Sequence, residues 1–330
     1  MKVTVIIPSY NAGEFIREAI DSVLNQTFKD FEIIIIDDGS TDNTKEVVAK
    51  YGQKIRYIYQ MNRGVSAARN RGILCSNGEY IAFLDADCAW FREKLELQVK
   101  YLDEHPEIGL VFSNALFQVK KGAPISDLVL HGRTTFQVSP PHRGKVFKDL
   151  FEADFIKLTT VLLRKALFQT VGLFDENINY AEDYHLKMRI SRSFRIDYID
   201  KSLTQINILG NSLSHNWGEM IKGNIAAKED ILRSDPQIVT KTDHNTLDRN
   251  YYRLYYALAA FNLEFGDKNQ ARLNAGKYLR FNRTRIRVYA LLLATYLPPK
   301  ISPIVGKYYR KFAIRVNARA RSTTINQFSE

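Results

Sequence analysis

Two aspartates end a strongly apolar segment, "YIAFLDADCAW", which spans residues 80–90. Asp85 and Asp87 are separated by one residue, so in an extended chain both side chains project from the same face. A carboxylate is costly to remove from water unless it is paired, hydrogen-bonded or bound to a cation. Two such groups offer hard oxygen ligands to Mg²⁺ or Mn²⁺, a kind of ion that also takes water and phosphate oxygens as ligands. A pair of solvated loop acids has the same pattern, so the pair alone leaves both interpretations open.

Polar residues also follow two other apolar segments. Asp37 and Asp38 end "FEIIIIDDGS", and Ser9 and Tyr10 follow "VTVIIP". In open α/β sheets, ligands bind at the carboxyl ends of the strands. The sequence therefore predicts a crevice where three strand ends meet, two of them lined with acids.

The elements that must position these residues alternate between strand and helix. Short apolar segments such as "VTVIIP" and "IRYIYQ" are separated by amphipathic ones such as "AGEFIREAIDSVLNQ". This alternation predicts βαβ units in an α/β fold with a mainly parallel sheet. From about His215 onward the pattern is helical. We therefore predict an α/β domain over 1–235, divided near 118, and a basic α-helical C-terminal region over 236–330.

The composition is that of an ordinary globular protein, with 45% apolar and 25% charged residues among 330. Cys75 and Cys88 provide neither a disulfide framework nor a metal-ligand cluster, which fits a reducing compartment. No targeting segment is apparent, and no apolar segment approaches the roughly 20 residues that span a bilayer. The usual glycine-rich phosphate motifs, GxxxxGK(S/T) and GxGxxG, are absent, so phosphate binding would need a metal and cations such as Arg63 and Arg69.

Five segments resemble, in order, the motifs of the GT-A-fold glycosyltransferases of family 2. They cover about residues 1–215 and read "VTVIIPSYN", "FEIIIIDDGSTDNT", "NRGVSAARNRGI", "YIAFLDAD" and "GLFDENINYAEDYHLKMRI". The resemblance implies the GT-A (nucleotide-diphospho-sugar transferase) fold and an inverting transfer of a sugar from a nucleotide-sugar. It also implies a nucleotide-binding half at about 1–118 and an acceptor half at about 119–235.

The resemblance implies roles for the residues that bind the donor. Pro8, Ser9 and Tyr10 would border the nucleoside. Asp38 would contact the base, usually uracil, which favours a UDP-sugar, and Arg69 would lie near the phosphate or the sugar.

The metal site follows from the resemblance in the same way. Asp85 would approach the ribose or sugar, Asp87 would bind Mn²⁺ or Mg²⁺, and Ala86 lies between them. His215 stands about where this fold can place a histidine near the metal or diphosphate, although a lone histidine is also a common surface or packing residue. "DADC" has Cys88 where the family more often has a third acid, and we expect little loss because that acid is not the usual ligand.

Asp183, in "AEDYHLKMRI", matches the catalytic base of the family. An inverting displacement needs a base that takes the proton of the acceptor hydroxyl as it attacks the anomeric carbon. Glu182 is the second candidate, because adjacent helical residues point in different directions. Both acids begin a predicted helix, where negative charge is stabilised by the helix dipole without any catalytic role. His185 stands where the family often has Asp, which predicts a different acceptor preference.

The last part of the chain is basic. Between Arg272 and Arg321 there are 13 Lys or Arg and no Asp or Glu, within a net charge of +11. Spacing of four puts Ile304, Tyr308, Phe312 and Val316 on one helical stripe, which predicts either a core-packing helix with a basic outer face or a helix lying in a membrane interface. The α/β part contains no nucleic-acid-binding module, so we expect no nucleic-acid partner.

These observations predict a metal-dependent inverting glycosyltransferase that acts on a glycan or polyprenyl-diphosphate-linked acceptor in surface-polysaccharide or glycolipid assembly. We expect it in the cytoplasm or peripherally at the inner face of the plasma membrane. The absence of a QxxRW-like segment and of spanning helices argues against a processive, membrane-spanning synthase. The alternatives are a sugar nucleotidyltransferase, a non-catalytic nucleotide-sugar or glycan-binding protein, and a peripheral membrane scaffold.

Overall fold

The structure is a computed structural model that describes residues 1–119, 135–138, 143–208, 216–238 and 251–311. His215, one of the predicted metal ligands, lies outside the described residues. Within them, no helix is both long enough and apolar enough to cross a membrane.

The described residues form strands and helices in the alternating order that the sequence predicts. The strands are β1 (Val3–Ser9), β2 (Phe31–Asp38), β3 (Arg56–Gln60), β4 (Tyr80–Phe83), β5 (Cys88–Trp90), β6 (Ile108–Val119), β7 (Thr135–Val138), β8 (Leu162–Arg164) and β9 (Arg195–Ile208). The helices are α1 (Ile16–Leu24), α2 (Thr44–Ala49), α3 (Val65–Cys75), α4 (Lys94–Glu104), α5 (Phe147–Glu152), α6 (Leu167–Val171), α7 (Glu182–Ser193), α8 (Trp217–Ser234), α9 (Arg253–Glu264), α10 (Lys268–Phe281) and α11 (Ile286–Ala294). A further helical segment covers 302–311, and 3₁₀ turns cover Gly52–Lys54 and Leu158–Thr160.

One sheet contains all the described strands. Its order is β3-β2-β1-β4-β8-β6-β9-β5, with β7 beside β6. The strands β3, β2, β1 and β4 are parallel, whereas β8 runs antiparallel to both β4 and β6. The carboxyl ends of β1, β2 and β4 therefore lie along one edge of the sheet, as the sequence predicts.

Two strands differ from the sequence-based prediction. β5 was not predicted, because three residues are too few to show an alternating pattern, yet it pairs antiparallel with β9. The apolar segments "FRIDYID" and "LTQINIL" predict two strands, but they form the single strand β9. Ile199 pairs with Ser113 and Ser202 with Asn114, so Asp200 and Lys201 form a bulge that interrupts the apolar pattern.

The core lies on both faces of the parallel part of the sheet. Every residue of β1 is buried, which is typical of a parallel strand covered by helices on both sides. On one face, α1 buries Ile16, Ala19, Ile20 and Val23, whose spacing forms a single helical stripe.

The helix α3 packs closely on β1 because position 72 is a glycine. A Cβ atom on Gly72 would lie 2.5 Å from Cγ2 of Ile6, closer than two carbon atoms can approach. This contact brings α3, and with it Arg69, to the carboxyl ends of the central strands.

The described residues cluster into two compact units. The first includes those within Met1–Leu150, Asp154–Asn177 and Glu182–His215, and the second those within Phe151–Ala153, Ile178–Ala181 and Asn216–Glu330. The domain limits near 118 and 235 stay predictions.

The close contact at Gly72 predicts a loss of stability when a methyl group is added. We expect Gly72→Ala to lower the free energy of unfolding by about 1–3 kcal/mol, since β1 or α3 must shift to make room. Urea denaturation followed by circular dichroism measures the change.

Gly276 in α10 is the matched control. Among the described residues, no atom lies within 4 Å of the position its Cβ would take. Gly276→Ala should therefore raise stability by about 0.5–1 kcal/mol, because alanine favours the helix more than glycine does. Equal effects of the two substitutions would contradict the proposed contact.

Candidate functional site

The first strand ends in a buried hydroxyl next to an exposed ring. Pro8 and Ser9 are buried, whereas Tyr10 is 53% exposed. The Oγ atom of Ser9 has no hydrogen-bond partner among the described residues. A buried polar atom without a partner at a strand end fits a site whose ligand supplies the missing hydrogen bond.

Asp38, at the end of β2, holds the turn that leads into α3. Its Oδ1 accepts hydrogen bonds from Nε2 of Gln60 at 2.7 Å and from the backbone N–H of Arg63 at 2.9 Å. Its Oδ2 accepts one from the N–H of Gly64 at 2.8 Å, and Gly64 has a φ of +89° that favours glycine. The carboxylate predicted to contact the base therefore also shapes the backbone that begins α3.

Arg69 joins two acids that are far apart in the sequence. Its Nη2 donates to Oδ1 of Asp85 at 3.0 Å, and its Nη1 donates to Oε1 of Glu182 at 2.6 Å. The Arg69 side chain is only 7% exposed, and its guanidinium lies 5.5 Å from the ring centre of Phe174. The Nε atom of Arg69 has no hydrogen-bond partner among the described residues. This bridge brings the Asp85–Asp87 pair together with the first turn of α7.

The Asp85–Asp87 pair itself carries unbalanced negative charge. Burial and the neighbouring carboxylate of Asp85 raise the pKa of Asp87 to about 6. The backbone carbonyl of Asp87 accepts a hydrogen bond from Nδ2 of Asn207 at 2.8 Å, which ties this loop to β9. Ala86, between the two acids, is partly buried.

The two carboxylates fit a divalent cation. Burial and repulsion from Asp85 raise the pKa of Asp87, and a cation between the two carboxylates would offset that repulsion. Carboxylate oxygens are the ligands that Mg²⁺ and Mn²⁺ prefer. No group of three or more His, Cys, Asp or Glu that could hold a metal occurs within the described ranges, and His215 lies outside them. Water and substrate oxygens would therefore have to complete the ligand shell of an ion held by the described residues.

Asp183 and Glu182 are adjacent but contact different cations. Whereas Glu182 accepts from Arg69, Oδ2 of Asp183 accepts from Nζ of Lys187 at 2.9 Å. Burial alone would raise the pKa of Asp183, but the charges of Lys187 and Arg69 lower it below its ordinary value. Burial raises the pKa of Glu182, although Arg69 opposes that rise. Of the two acids, Asp183 is therefore the more firmly ionised.

Lys187 is a fully buried lysine with three acceptors. Besides Asp183, its Nζ contacts Oδ1 of Asp154 at 2.8 Å and donates to the carbonyl of Ile156 at 2.5 Å. Burial alone would lower the pKa of Lys187, but Asp154 and Asp183 raise it above its ordinary value. Lys187 therefore stays charged and fixes one oxygen of the Asp183 carboxylate.

Sequence analysis missed both Lys187 and Asp154. One signal was available: Lys187 lies four residues after Asp183 in a predicted helix, the spacing of a helical ion pair. Asp154 stands outside any recognisable motif, so only the tertiary fold reveals its partnership.

Comparison with known proteins identifies the family. The sequence profile of Glycosyl transferase family 2 matches residues 4–171, about half of the chain. The chain belongs to this family. The predicted family is thereby confirmed.

Two curated relatives illustrate the range of similarity to this family member. An uncharacterized glycosyltransferase of Rickettsia felis is 40% identical over 215 residues, which cover 64% of this chain but only 34% of the relative. The putative teichuronic acid biosynthesis glycosyltransferase TuaG of Bacillus subtilis is 29% identical over 219 residues, covering 65% of this chain and 82% of TuaG.

Solved glycosyltransferase structures share the fold of this family member. The 1–349 segment of Staphylococcus aureus TarS aligns with a TM-score of 0.58 at 20% identity, covering 98% of this chain and 92% of that one. The same segment bound to UDP-GlcNAc gives a TM-score of 0.56. The mannosyltransferase PcManGT of Pyrobaculum calidifontis, in complex with GDP-Man and Mn²⁺, gives 0.55 at 19% identity, covering 96% and 87% of the two chains. The predicted α/β GT-A fold class is confirmed.

The buried Lys187 predicts a large, pH-dependent cost of its removal. We expect Lys187→Met to lower the free energy of unfolding by about 3–5 kcal/mol at neutral pH, because Asp154 and Asp183 would remain buried without their cation. The pKa of Asp183 is lower in the folded state than in the unfolded state, so the ionised carboxylate stabilises the fold above the unfolded-state pKa. This stabilisation is lost as the pH falls through the folded-state pKa. The difference between the wild type and Lys187→Met should therefore shrink as the pH is lowered, as urea denaturation at several pH values would show.

Lys222 provides the control for this substitution. It pairs with Glu219 on α8, but its side chain is 53% exposed. Lys222→Met should cost less than about 1 kcal/mol, with little pH dependence. An equally small, pH-independent cost for Lys187→Met would contradict the described ion pairs.

Proposed function

We propose that this chain is an inverting glycosyltransferase that moves a sugar from a nucleotide-sugar to a glycan or a polyprenyl-diphosphate-linked acceptor. A UDP-linked donor is favoured. Its role would be in the assembly of a cell-surface polysaccharide or glycolipid. The observation that carries the proposal is the bridge through Arg69, which joins Asp85 of the acid pair to Glu182 next to Asp183.

Family membership and the shared fold support this class of activity. TarS has been solved with UDP-GlcNAc and PcManGT with GDP-Man, so both neighbours bind nucleotide-sugars. TuaG is named for teichuronic acid biosynthesis, which is consistent with a surface polysaccharide. The lengths of the relatives differ from that of this chain, so the acceptor is proposed from the residues and not transferred from any one of them.

The proposed donor site uses the carboxyl ends of β1, β2 and β4. Tyr10 is exposed and offers a ring on which a base can stack, while the unpartnered Oγ of Ser9 offers a hydrogen bond. Asp38 would contact the base near the turn that it already holds. Arg69 would keep the Asp85 carboxylate in place beside the ribose or sugar.

Asp85 and Asp87 would hold Mn²⁺ or Mg²⁺ against the diphosphate. The bound ion would supply positive charge that stabilises the negative charge developing on the leaving diphosphate. The Mn²⁺ in the PcManGT complex supports the choice of a divalent ion. His215 remains a proposed additional ligand.

Asp183 would act as the general base. Its carboxylate is ionised, and Lys187 holds Oδ2. Its Oδ1 accepts the backbone N–H of Tyr184 at 2.7 Å and keeps a second lone pair, which would take the proton of the acceptor hydroxyl. The hydroxyl oxygen then bonds to the anomeric carbon as the bond from that carbon to the phosphate oxygen breaks. The electron pair of the broken bond leaves with the nucleoside diphosphate, and the configuration at the anomeric carbon inverts.

The first test is the substitution Asp183→Asn. We expect the turnover number to fall by about 10²–10⁴-fold, because the amide cannot accept the proton. Donor affinity should stay within about threefold of the wild type, a free-energy change smaller than one ordinary hydrogen bond contributes. Lys187 keeps Asp154 and the Ile156 carbonyl as partners, so the variant should still fold. Turnover by product analysis and donor binding by calorimetry are the two measurements.

The outcomes separate the enzyme from a binding protein. Wild-type transfer or donor hydrolysis that Asp183→Asn abolishes, with binding intact, supports the proposal. Retained activity in Asp183→Asn would remove that residue from the role of base. Donor binding by the wild type without any turnover on glycan or lipid-linked acceptors would favour a non-catalytic nucleotide-sugar-binding protein.

The second test concerns the metal and the donor. A screen of UDP- and GDP-sugars with and without Mn²⁺ should find one that raises the unfolding temperature, since ligand at about 100 times its Kd adds about 2.7 kcal/mol. Asp87→Asn should abolish the Mn²⁺-dependent part of this stabilisation. Glu176→Gln, which alters a partly exposed acid paired with Arg63, is the matched control and should retain it. Equal stabilisation of Asp87→Asn and wild type would contradict the proposed metal ligand.

A further inference from the structure

The described helices near the end of the chain expose an unusual amount of apolar surface. Of the 15 large apolar side chains exposed in the described residues, eight lie between Leu273 and Tyr308. Scattered exposed apolar residues are normal in soluble proteins, but a concentration of them marks an interaction site.

In α11 these side chains form one face. Ile286, Tyr289 and Leu293 follow one another at intervals of three and four residues, and Ile286 and Leu293 are 82% and 69% exposed. Val288 and Leu291 point the other way and are buried, because α11 packs against α10. The exposed apolar face is thus additional to the face that stabilises the fold.

The helical segment 302–311 repeats this arrangement. Ile301, Ile304 and Tyr308 have the same spacing, and Ile304 and Tyr308 are 69% and 70% exposed. The opposite side packs against α9, where a Cβ on Gly306 would lie 2.3 Å from the backbone nitrogen of Glu264. Both helices therefore carry an exposed apolar face opposite a packed one. The predicted stripe is described for Ile304 and Tyr308, whereas its other two members, Phe312 and Val316, lie outside the described residues.

Positive charge surrounds these apolar side chains. From Lys268 to Lys311 the sequence contains 11 Lys or Arg and no Asp or Glu. Lys300, Lys307 and Lys311 are exposed, and the guanidinium of Arg272 lies 4.4 Å from the ring centre of Tyr296. A surface of this composition attracts an anionic partner over long range.

We propose that α11 and the segment 301–311 together form a basic apolar face that docks on the surface of an anionic lipid bilayer. Exposed Ile, Leu and Tyr side chains insert at the level of the headgroups, and the lysines and arginines contact lipid phosphates. Neither helix crosses the bilayer; both lie in its interface.

Charge complementarity favours this occupant over the others. A nucleic acid would contact the cations but leave the aliphatic side chains of Ile286 and Leu293 in water. A second copy of this face would bring two sets of positive charges together, which is destabilising. An anionic bilayer satisfies both the charges and the apolar side chains.

The test is flotation of the full chain with vesicles. Vesicles of phosphatidylcholine mixed with phosphatidylglycerol should carry the wild type upward, and pure phosphatidylcholine vesicles should not. Each Lys or Arg near an anionic surface strengthens binding by about fivefold, so the triple reversal Lys300→Glu, Lys307→Glu and Lys311→Glu should weaken it by more than about 100-fold. A second variant, Ile286→Ser with Leu293→Ser, removes apolar area without changing charge and should weaken binding by about tenfold or more.

Matched controls separate this face from overall charge and hydrophobicity. The triple variant Lys45→Glu, Lys50→Glu and Lys54→Glu changes the net charge by the same amount, at exposed positions outside the face. It should bind the vesicles much more tightly than the triple reversal within the face. Leu74→Ser removes an exposed leucine elsewhere and should float like the wild type. Thermal unfolding confirms that each variant is folded.

Flotation of the wild type and controls, together with loss of flotation in both face variants, supports the proposal. A wild type that floats with neither vesicle, or face variants that float as well as the wild type, would overturn it. The proposal would also be overturned if the wild type did not bind vesicles but formed an oligomer, measured by analytical ultracentrifugation. In that case the double variant Ile286→Ser with Leu293→Ser would be monomeric. The experiment needs no donor and no turnover, so its failure would leave the proposed transferase activity untouched.

Discussion

The site depends on a single buried guanidinium. Arg69 lies on α3, which Gly72 allows to pack against β1, and it binds Asp85 on one side and Glu182 on the other. The two acids belong to segments about a hundred residues apart, so this contact positions one motif against the other. Removing one member of such a buried group leaves an uncompensated charge, which typically costs several kcal/mol. The arrangement is therefore held by electrostatics as much as by apolar packing.

A second buried cation extends the same principle. Lys187 stands between Asp154 and Asp183, so the adjacent acids of α7 are each held by a different positive charge. This matters chemically, because two neighbouring buried carboxylates raise each other's pKa, as Asp183 does for Glu182, and a nearby cation opposes that rise. The cations keep Asp183 ionised in an environment that by burial alone would favour its protonated form. For the base role proposed for Asp183, a lowered pKa makes the carboxylate a weaker proton acceptor but keeps it ionised at neutral pH.

The two compact units have opposite electrostatic character in the surfaces described. In the first, acids gather at the carboxyl ends of the strands, and both burial and repulsion from Asp85 raise the pKa of Asp87. A diphosphate could bind such acids only with a cation between them. In the second unit, the helices near the end of the chain combine exposed apolar side chains with lysines and arginines. The two surfaces therefore differ as their proposed partners do: a metal-bound diphosphate for the first unit and an anionic surface for the second.

The sequence by itself determined the order of strands and helices, because apolar periodicity is a local property. The placement of Asp38 and Asp85 at strand ends follows from that order. It also determined the family, through five motifs in sequence. It could not show β5 or the bulge at Asp200, since short or interrupted strands lack a readable pattern. Only the tertiary structure decided that Arg69 binds Glu182 and that Lys187 binds Asp154. Such pairings join segments distant in the chain, and their strength arises from shared burial, which no local pattern of residues encodes.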